Sequence, residues 1–274
     1  MAHVNRSRHR PVVTAAVVGV LACVAAIVTA AQAQHARPPE HSAPARTAAP
    51  NAALRQGPFG VRAYGKFRDM AQGQDYQPKA KLGDVKAEGA TDAVGALSGL
   101  RGEITMLDGR FIVSYGDGCT ACPPPHAETA TLLASGKVAE WAAPIVLLPE
   151  SLAGKALEHF IVARAKEAGL DMSMPFPVRL KGTLTDVSMH VLKAPNAKFT
   201  GHGSAHPMAA QDEIKAAAIA GEVIGFFAPP ALAGVISHPG EPFHFHWVNE
   251  TRSKTAHIDA FGMAKGTLLS FPKP

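Results

Sequence analysis

Thirteen histidines are spread over 274 residues, and three of them fall in one stretch, FHFHWVNETRSKTAH, from Phe243 to His257. Side chains on a β-strand alternate between faces. His244 and His246 therefore share one face, and Phe243, Phe245 and Trp247 share the other and fill the core. The polar run Asn249 to Lys254 turns the chain back. A simple hairpin register then sets His246 opposite His257, and His244 opposite Asp259. Opposed Cβ atoms lie about 5 Å apart, so three imidazoles and one carboxylate converge on a small patch. Three neutral imidazoles with one position left for water or substrate are the donor set of a catalytic metal site. Asp259 would be a fourth ligand, or an acceptor that fixes a histidine tautomer. Zinc is the first choice, but imidazole also suits copper, iron and nickel. The competing reading is a solvent-facing polar strand with incidental histidines. A third histidine at the position a hairpin requires argues against it.

Such a hairpin needs a scaffold, and the chain supplies mostly strands. Glu103–Leu107 and Arg110–Tyr115 flank Asp108-Gly109, a hairpin turn signal. Ala130–Leu133 and Val138–Trp141 read as another pair, turned at Ser135-Gly136. Phe176–Leu180 and Thr183–Leu192 read as two strands joined at Lys181-Gly182. Ser151–Ala168 is the best helix, with Leu152, Ala156, Phe160 and Ala163 at helical spacing and Gly169 as its cap. Ala217–Phe227 is ambiguous: its alanines favour helix, and Val223-Ile224-Gly225-Phe226-Phe227 favours strand. Phe243–Val248 and Ala256–Phe261 close the list of strands. The pattern predicts a mixed, strand-rich α/β fold with one or two helices.

The first residues point to export. Arg6, Arg8 and Arg10 precede the apolar run Val12–Thr29, and Ala31-Gln32-Ala33 has the small residues of a cleavage site. Residues 1–33 read as a secretory signal peptide, with a retained membrane anchor as the alternative. Cleavage removes three arginines and no acid, so the formal net charge falls from +5 to +2. It leaves no stable membrane span and places the protein in the periplasm or outside the cell. Residues 34–57 read as a disordered Ala/Pro-rich linker, and 58–274 as the folded domain. No basic helix or interleaved aromatic stripe appears, which argues against a nucleic-acid partner. Cys119 and Cys122 lie in GDGCTACPPPH. In an oxidising compartment the pair reads as a loop disulfide. A redox motif would open a helix, which Pro123-Pro124-Pro125 forbids. Metal binding is the remaining alternative.

Four separated motifs, in order between Val61 and Phe271, carry a resemblance to the alpha-acetolactate decarboxylase family. FHFHWVNETRSKTAHID resembles the family's His-x-His-x10-His segment, with Glu250 and Arg252 in its loop. GEVIGFFAPPALAGV resembles the strand and turn before it. LRGEITMLDGRF resembles the hairpin whose glutamate reaches the active site, here Glu103. FPVRLKG resembles the strand of the catalytic arginine, here Arg179. The resemblance implies two lobes built on mixed β-sheets, a homodimer, and a zinc or other divalent metal on His244, His246 and His257. It implies a lyase that turns a small 2-hydroxy-3-keto acid, 2-acetolactate, into acetoin through a metal-held enediolate. Arg179 would pair with the substrate carboxylate and Glu103 would transfer a proton, both pointing into the cavity above the histidines. The chain departs from the family at Lys181, Leu184 and Thr255-Ala256, and in its CTAC loop. It also has seventeen residues after His257, where the family has a longer tail carrying a further glutamate. Glu222 is the candidate substitute for that glutamate.

Two other classes stay open at this point. Glu250 stands at the cupin spacing from His246, which would make a metal-dependent oxygenase, although Gly240 lies too near His244 for that pattern. A non-catalytic relative that kept the metal is the other. Acetoin release with zinc, oxygen uptake with iron or copper, and metal without turnover separate the three.

Overall fold

The computed structural model describes residues 57–143, 145–146, 150–201 and 204–274. The leader (1–33) and all of the linker but its last residue, Gly57, lie outside these residues. Strands dominate, as the sequence pattern predicts. They are β1 (Arg62–Tyr64), β2 (Ala80–Lys81), β3 (Asp92–Leu97), β4 (Gly102–Leu107), β5 (Arg110–Tyr115), β6 (Thr129–Gly136) and β7 (Ile145–Val146). After these come β8 (Leu152–Ala153), β9 (Phe176–Pro195), β10 (Ala209–Phe227), β11 (Phe243–Val248), β12 (Thr255–Met263) and β13 (Leu268–Ser270). Three helices accompany them: α1 (Phe67–Gly73), α2 (Leu82–Ala87) and α3 (Gly154–Glu167). None among the described residues is long and apolar enough to cross a membrane.

The strands form two sheets. The first has the order β1-β6-β3-β4-β5, with β2 also on β6. The second has the order β7-β13-β9-β10-β11-β12-β8, and β12 pairs back onto β9. Every pairing between these strands is antiparallel.

Three local readings are corrected, and one left open is decided. The pair expected at Ala130–Leu133 and Val138–Trp141 is one strand, β6, and Trp141 makes only an isolated bridge to Pro272. The two strands expected around Lys181-Gly182 are one 20-residue strand, β9. Gly182 faces Gly221 on β10, so the glycines lie side by side within a continuous ladder. The ambiguous run Ala217–Phe227 is the second half of β10, whose tertiary pairing overrides helix propensity. The helix α3 starts only at Gly154, and its buried stripe is Leu157, Ile161 and Ala165, one position round from the expected one, packed into the core of the second sheet.

Local chemistry holds the histidine hairpin in place. The Asn249 side-chain oxygen accepts the backbone N–H groups of Ser253 (2.8 Å) and Lys254 (2.9 Å), tying the six-residue turn into one shape. The register that follows pairs His246 with His257 and Trp247 with Ala256. Gly221 and Gly225 on β10 leave room for the rings of Trp247 and Phe245. A Cβ at either position would fall 2.3 Å from an atom of that ring. Phe243, Phe245 and Trp247 thus join the core of the second sheet, while β4 of the first sheet covers the histidine face.

Candidate metal centre

His244, His246 and His257 converge as the hairpin register requires. His244 Nε2 lies 3.1 Å from His246 Nε2 and 3.2 Å from His257 Nδ1. All three residues are buried, and one donor atom from each lies within 4.8 Å of the others. Ligands about 2.0–2.1 Å from a tetrahedral zinc ion stand about 3.3 Å from one another, close to these separations. Two of the outer nitrogens are engaged. His244 Nδ1 donates to the Ile236 carbonyl (3.1 Å), which leaves a bare lone pair on its Nε2. His246 Nδ1 meets the Thr105 hydroxyl (3.1 Å), which is bonded to the Thr255 hydroxyl (2.6 Å). Burial pushes all three imidazoles well below their ordinary range, and their mutual repulsion adds to this. Neutral imidazoles with lone pairs facing one another in a dry site are a poor arrangement alone and a good one around a cation. The residues present therefore fit a divalent metal.

Asp259 does not take the position expected for it. The ladder to β11 ends at His257, and β12 passes to β9 with register shifts between Ile258 and Gly262. The Asp259 carboxylate instead accepts from His190 Nδ1 (2.9 Å) on β9. His190 faces His257 across the strands, with ring centroids 4.9 Å apart. His238 lies 5.4 Å from the His257 ring. Sequence spacing gives no sign that these two histidines would meet the cluster, because each arrives by a tertiary crossing.

Glu103 does reach the site. Its Oε2 is 3.7 Å from His246 Nε2, and its Oε1 accepts the Leu192 N–H (3.3 Å). The side chain is buried, and loss of hydration raises its carboxyl well above the usual range. It borders a 190 Å³ cavity with His190, His238, His244 and His257, walled by apolar groups such as Phe67 and Leu192. A second cavity, of 560 Å³, shares His238 and His257 with it.

Arg179 is placed differently from the expectation. It shares a cross-strand row with Ile224 and His246, but its guanidinium is taken by two carboxylates. Asp92 bonds it through Nε (3.1 Å) and again through a terminal nitrogen, and Asp108 pairs with it at 2.8 Å. The Trp141 ring stacks on it at 4.3 Å. Arg179 is not among the residues lining the histidine cavity. Glu222 also lies elsewhere, paired with Arg252 (3.0 Å) and facing Lys181 (3.6 Å). Cys119 and Cys122 are joined as a disulfide in the loop after β5.

These features define a class: a strand-rich, two-sheet protein with a buried three-histidine cluster fit for a metal. The sequence model of alpha-acetolactate decarboxylase matches residues 63–270, and the chain belongs to that family. The alpha-acetolactate decarboxylase of Methanosarcina mazei is 26% identical over 196 residues, covering 70% of this chain. The match spans 62% of that relative's length. The crystal structure of alpha-acetolactate decarboxylase from Bacillus subtilis strain 168 superposes with a TM-score of 0.61 at 16% identity, over 78% of this chain and 86% of that one. A Staphylococcus aureus protein of unknown function, similar to alpha-acetolactate decarboxylase, gives a TM-score of 0.56 at 19% identity over 76% and 83%. At these identities the structural likeness speaks for the fold.

Proposed function

We propose that this chain is a metal-dependent carboxy-lyase that decarboxylates 2-acetolactate, or a close 2-hydroxy-3-keto acid, to acetoin or its analogue. The observation that carries the reading is a buried carboxyl, Glu103, set 3.7 Å from a ligand nitrogen of the histidine cluster and bordering the same cavity. When bound, zinc or another divalent ion would supply a Lewis acid for the substrate's carbonyl oxygen, on His244, His246 and His257. The chain's own groups do the rest. The apolar wall around Phe67 and Leu192 excludes water and receives the alkyl substituent. Loss of carbon dioxide breaks one C–C bond and leaves its electron pair on the former α-carbon as an enediolate. Glu103, whose carboxyl burial raises well above the usual range, is placed to donate a proton to that carbon from one side. Solvent then restores the proton on Glu103.

The resemblance gives Arg179 the substrate carboxylate, but here its fork is filled by Asp92 and Asp108. We assign Arg179 to the clamp between the sheets. Family membership sets the cupin oxygenase aside. A metal-binding relative without turnover is the reading that the assay must reject. Zinc-loaded protein should release acetoin enriched in one enantiomer from racemic 2-acetolactate. Glu103→Gln should keep its metal and lose about 10²–10⁴-fold in rate, the usual share of a positioned acid. A metal-replete wild type that releases no acetoin from 2-acetolactate or its close congeners would reject the reading.

A further inference from the structure

The hairpin that carries the histidines does not stay closed. β11 and β12 pair only at His246–Val248 and Thr255–His257. Beyond His257, β12 turns to β9, with register shifts at Ile258/Ala260 and Ala260/Gly262. The two strands therefore fork. The 560 Å³ cavity is lined by both arms, Phe243 and Phe245 on one and Ile258 and Phe261 on the other. His257 stands at the base of the fork and borders both this cavity and the 190 Å³ one. The larger cavity falls within the range of about 300–1,000 Å³ usual for small-molecule sites, and the smaller one falls below it.

The walls of the fork select what it can hold. The Phe243 and Phe245 rings stack with centroids 5.0 Å apart, and Phe261 meets Phe245 edge-on at 5.3 Å. Leu157 of α3 adds to this apolar side. The polar groups of the same cavity are taken up by one another or by a neighbour. Lys155 is shared by Glu158 (3.0 Å) and Glu241 (2.8 Å), and Asp259 accepts from His190 Nδ1 (2.9 Å). One lysine against three carboxylates disfavours an anionic group there. Aromatic edges and faces favour an uncharged ring or a similar bulky apolar group.

We propose that the fork is a specificity pocket, which receives a large apolar substituent, an aryl group above all, on a 2-hydroxy acid whose oxygens lie at the histidine cluster. From that point a bound molecule has two directions open to it. The cavity walled by Phe67 and Leu192 takes a methyl-sized group, and the fork beyond His257 takes a larger one. Phe261 is the specificity-determining residue, because its ring is only partly buried and lines the fork against Phe245. The inference rests on the proposed function for the metal end of the substrate. It adds the class of acid: 2-hydroxy-3-keto acids that carry a bulky apolar arm.

The test separates binding from turnover. Lactate and 3-phenyllactate share a 2-hydroxy acid head and differ by one phenyl group. Neither has a ketone, so their binding does not depend on decarboxylation. Zinc-loaded protein should bind 3-phenyllactate about tenfold or more tighter than lactate by calorimetry, the gain expected from burying the ring. Phe261→Ala should cut that preference about fivefold, and Phe261→Tyr should keep it. An unchanged melting temperature and metal content will show that each variant is folded. If Phe261→Ala fails this check, Phe261→Leu, which fills the space without a ring, takes its place. Equal binding of the two acids, or an undiminished preference once the ring is gone, would overturn the pocket even if 2-acetolactate is decarboxylated. In turnover, 2-benzyl-2-hydroxy-3-oxobutanoate should reach a kcat/KM at least equal to that of 2-acetolactate, and a lower value would overturn the assigned substrate class. The phenyl preference with no turnover of either keto acid would uphold the pocket and reject the lyase.

Discussion

Two polar clusters lie between the same two sheets, and they differ in what they leave unspent. At one, His244, His246 and His257 turn bare nitrogens toward a common point, with Thr105 and the Ile236 carbonyl holding the outer sides of the rings. At the other, Arg179 is surrounded by Asp92, Asp108 and Trp141. Asp92 is fully buried, and burial raises its carboxyl even against the nearby guanidinium. Donors and acceptors are matched around Arg179, and acceptors alone converge at the histidines. The first cluster asks for a cation from outside, and the second is complete. A polar cluster therefore points to a ligand by the valence it leaves open, not by being polar or buried.

The largest expected break of this contrast is at His246. His246→Ala removes a donor and leaves two imidazoles facing a gap. We expect bound metal to fall by more than about 100-fold in affinity, beyond the 10–100-fold that supporting groups around a metal usually control. Metal per chain, measured by atomic emission after dialysis against a chelator, reads this directly. Chelation of wild type should also lower its melting temperature, since a metal held only by the folded state stabilises that state. Equal metal in the variant and wild type would mean that the three nitrogens are not a centre.

Arg179 supplies the opposite behaviour. Arg179→Ala strands a buried carboxylate, Asp92, and removing one partner of a buried pair costs about 3–5 kcal/mol. We expect that loss in urea unfolding, with metal content near one ion per chain. Arg179→Lys keeps the charge but loses the planar fork, and should recover only part of the stability. If Arg179 instead binds the substrate carboxylate, Arg179→Lys will lose turnover while its unfolding midpoint stays at the wild-type value. Stability and activity thus separate the clamp from the catalytic role.

How far the sequence could be read follows from the same physics. His244, His246 and His257 were legible because they belong to one hairpin, whose spacing and turn fix a local register. Glu103 was legible only through the family resemblance, since 141 residues separate it from His244. The failures come where long-range pairing decides. Extending the hairpin register pairs Asp259 with His244, but β12 leaves β11 after His257 and takes up β9. That same switch brings in His190, which no spacing rule could reveal. Ala217–Phe227 is ambiguous in the sequence because alanine favours helix locally, and the ladders to β9 and β11 make it a strand. For Arg179 the resemblance supplied a role but not a neighbour. Asp92 and Asp108, which fill its fork, come from the other sheet.

The smallest effect expected lies at the CTAC loop, which serves as a control on both clusters. The Cys119–Cys122 disulfide closes a loop with a sequence separation of 3. A cross-link so short removes little freedom from the unfolded chain, about 2 kcal/mol by loop-closure entropy. The loop is also held without it. Arg101 reaches Asp117 (3.1 Å) and Glu128 (2.8 Å), and the Tyr115 hydroxyl donates to the Pro123 carbonyl (3.1 Å). Part of the order that the disulfide imposes would therefore survive its loss. We expect the Cys119→Ser/Cys122→Ser variant to lose no more than about 2 kcal/mol in stability. It should match the wild type in metal content and in any turnover of 2-acetolactate, because neither cysteine lines the histidine cavity. Turnover that falls while metal content and unfolding midpoint hold would give the cysteines a chemical role and end their use as a control. Full retention would leave the histidine cluster and Glu103 as the groups that must account for any chemistry.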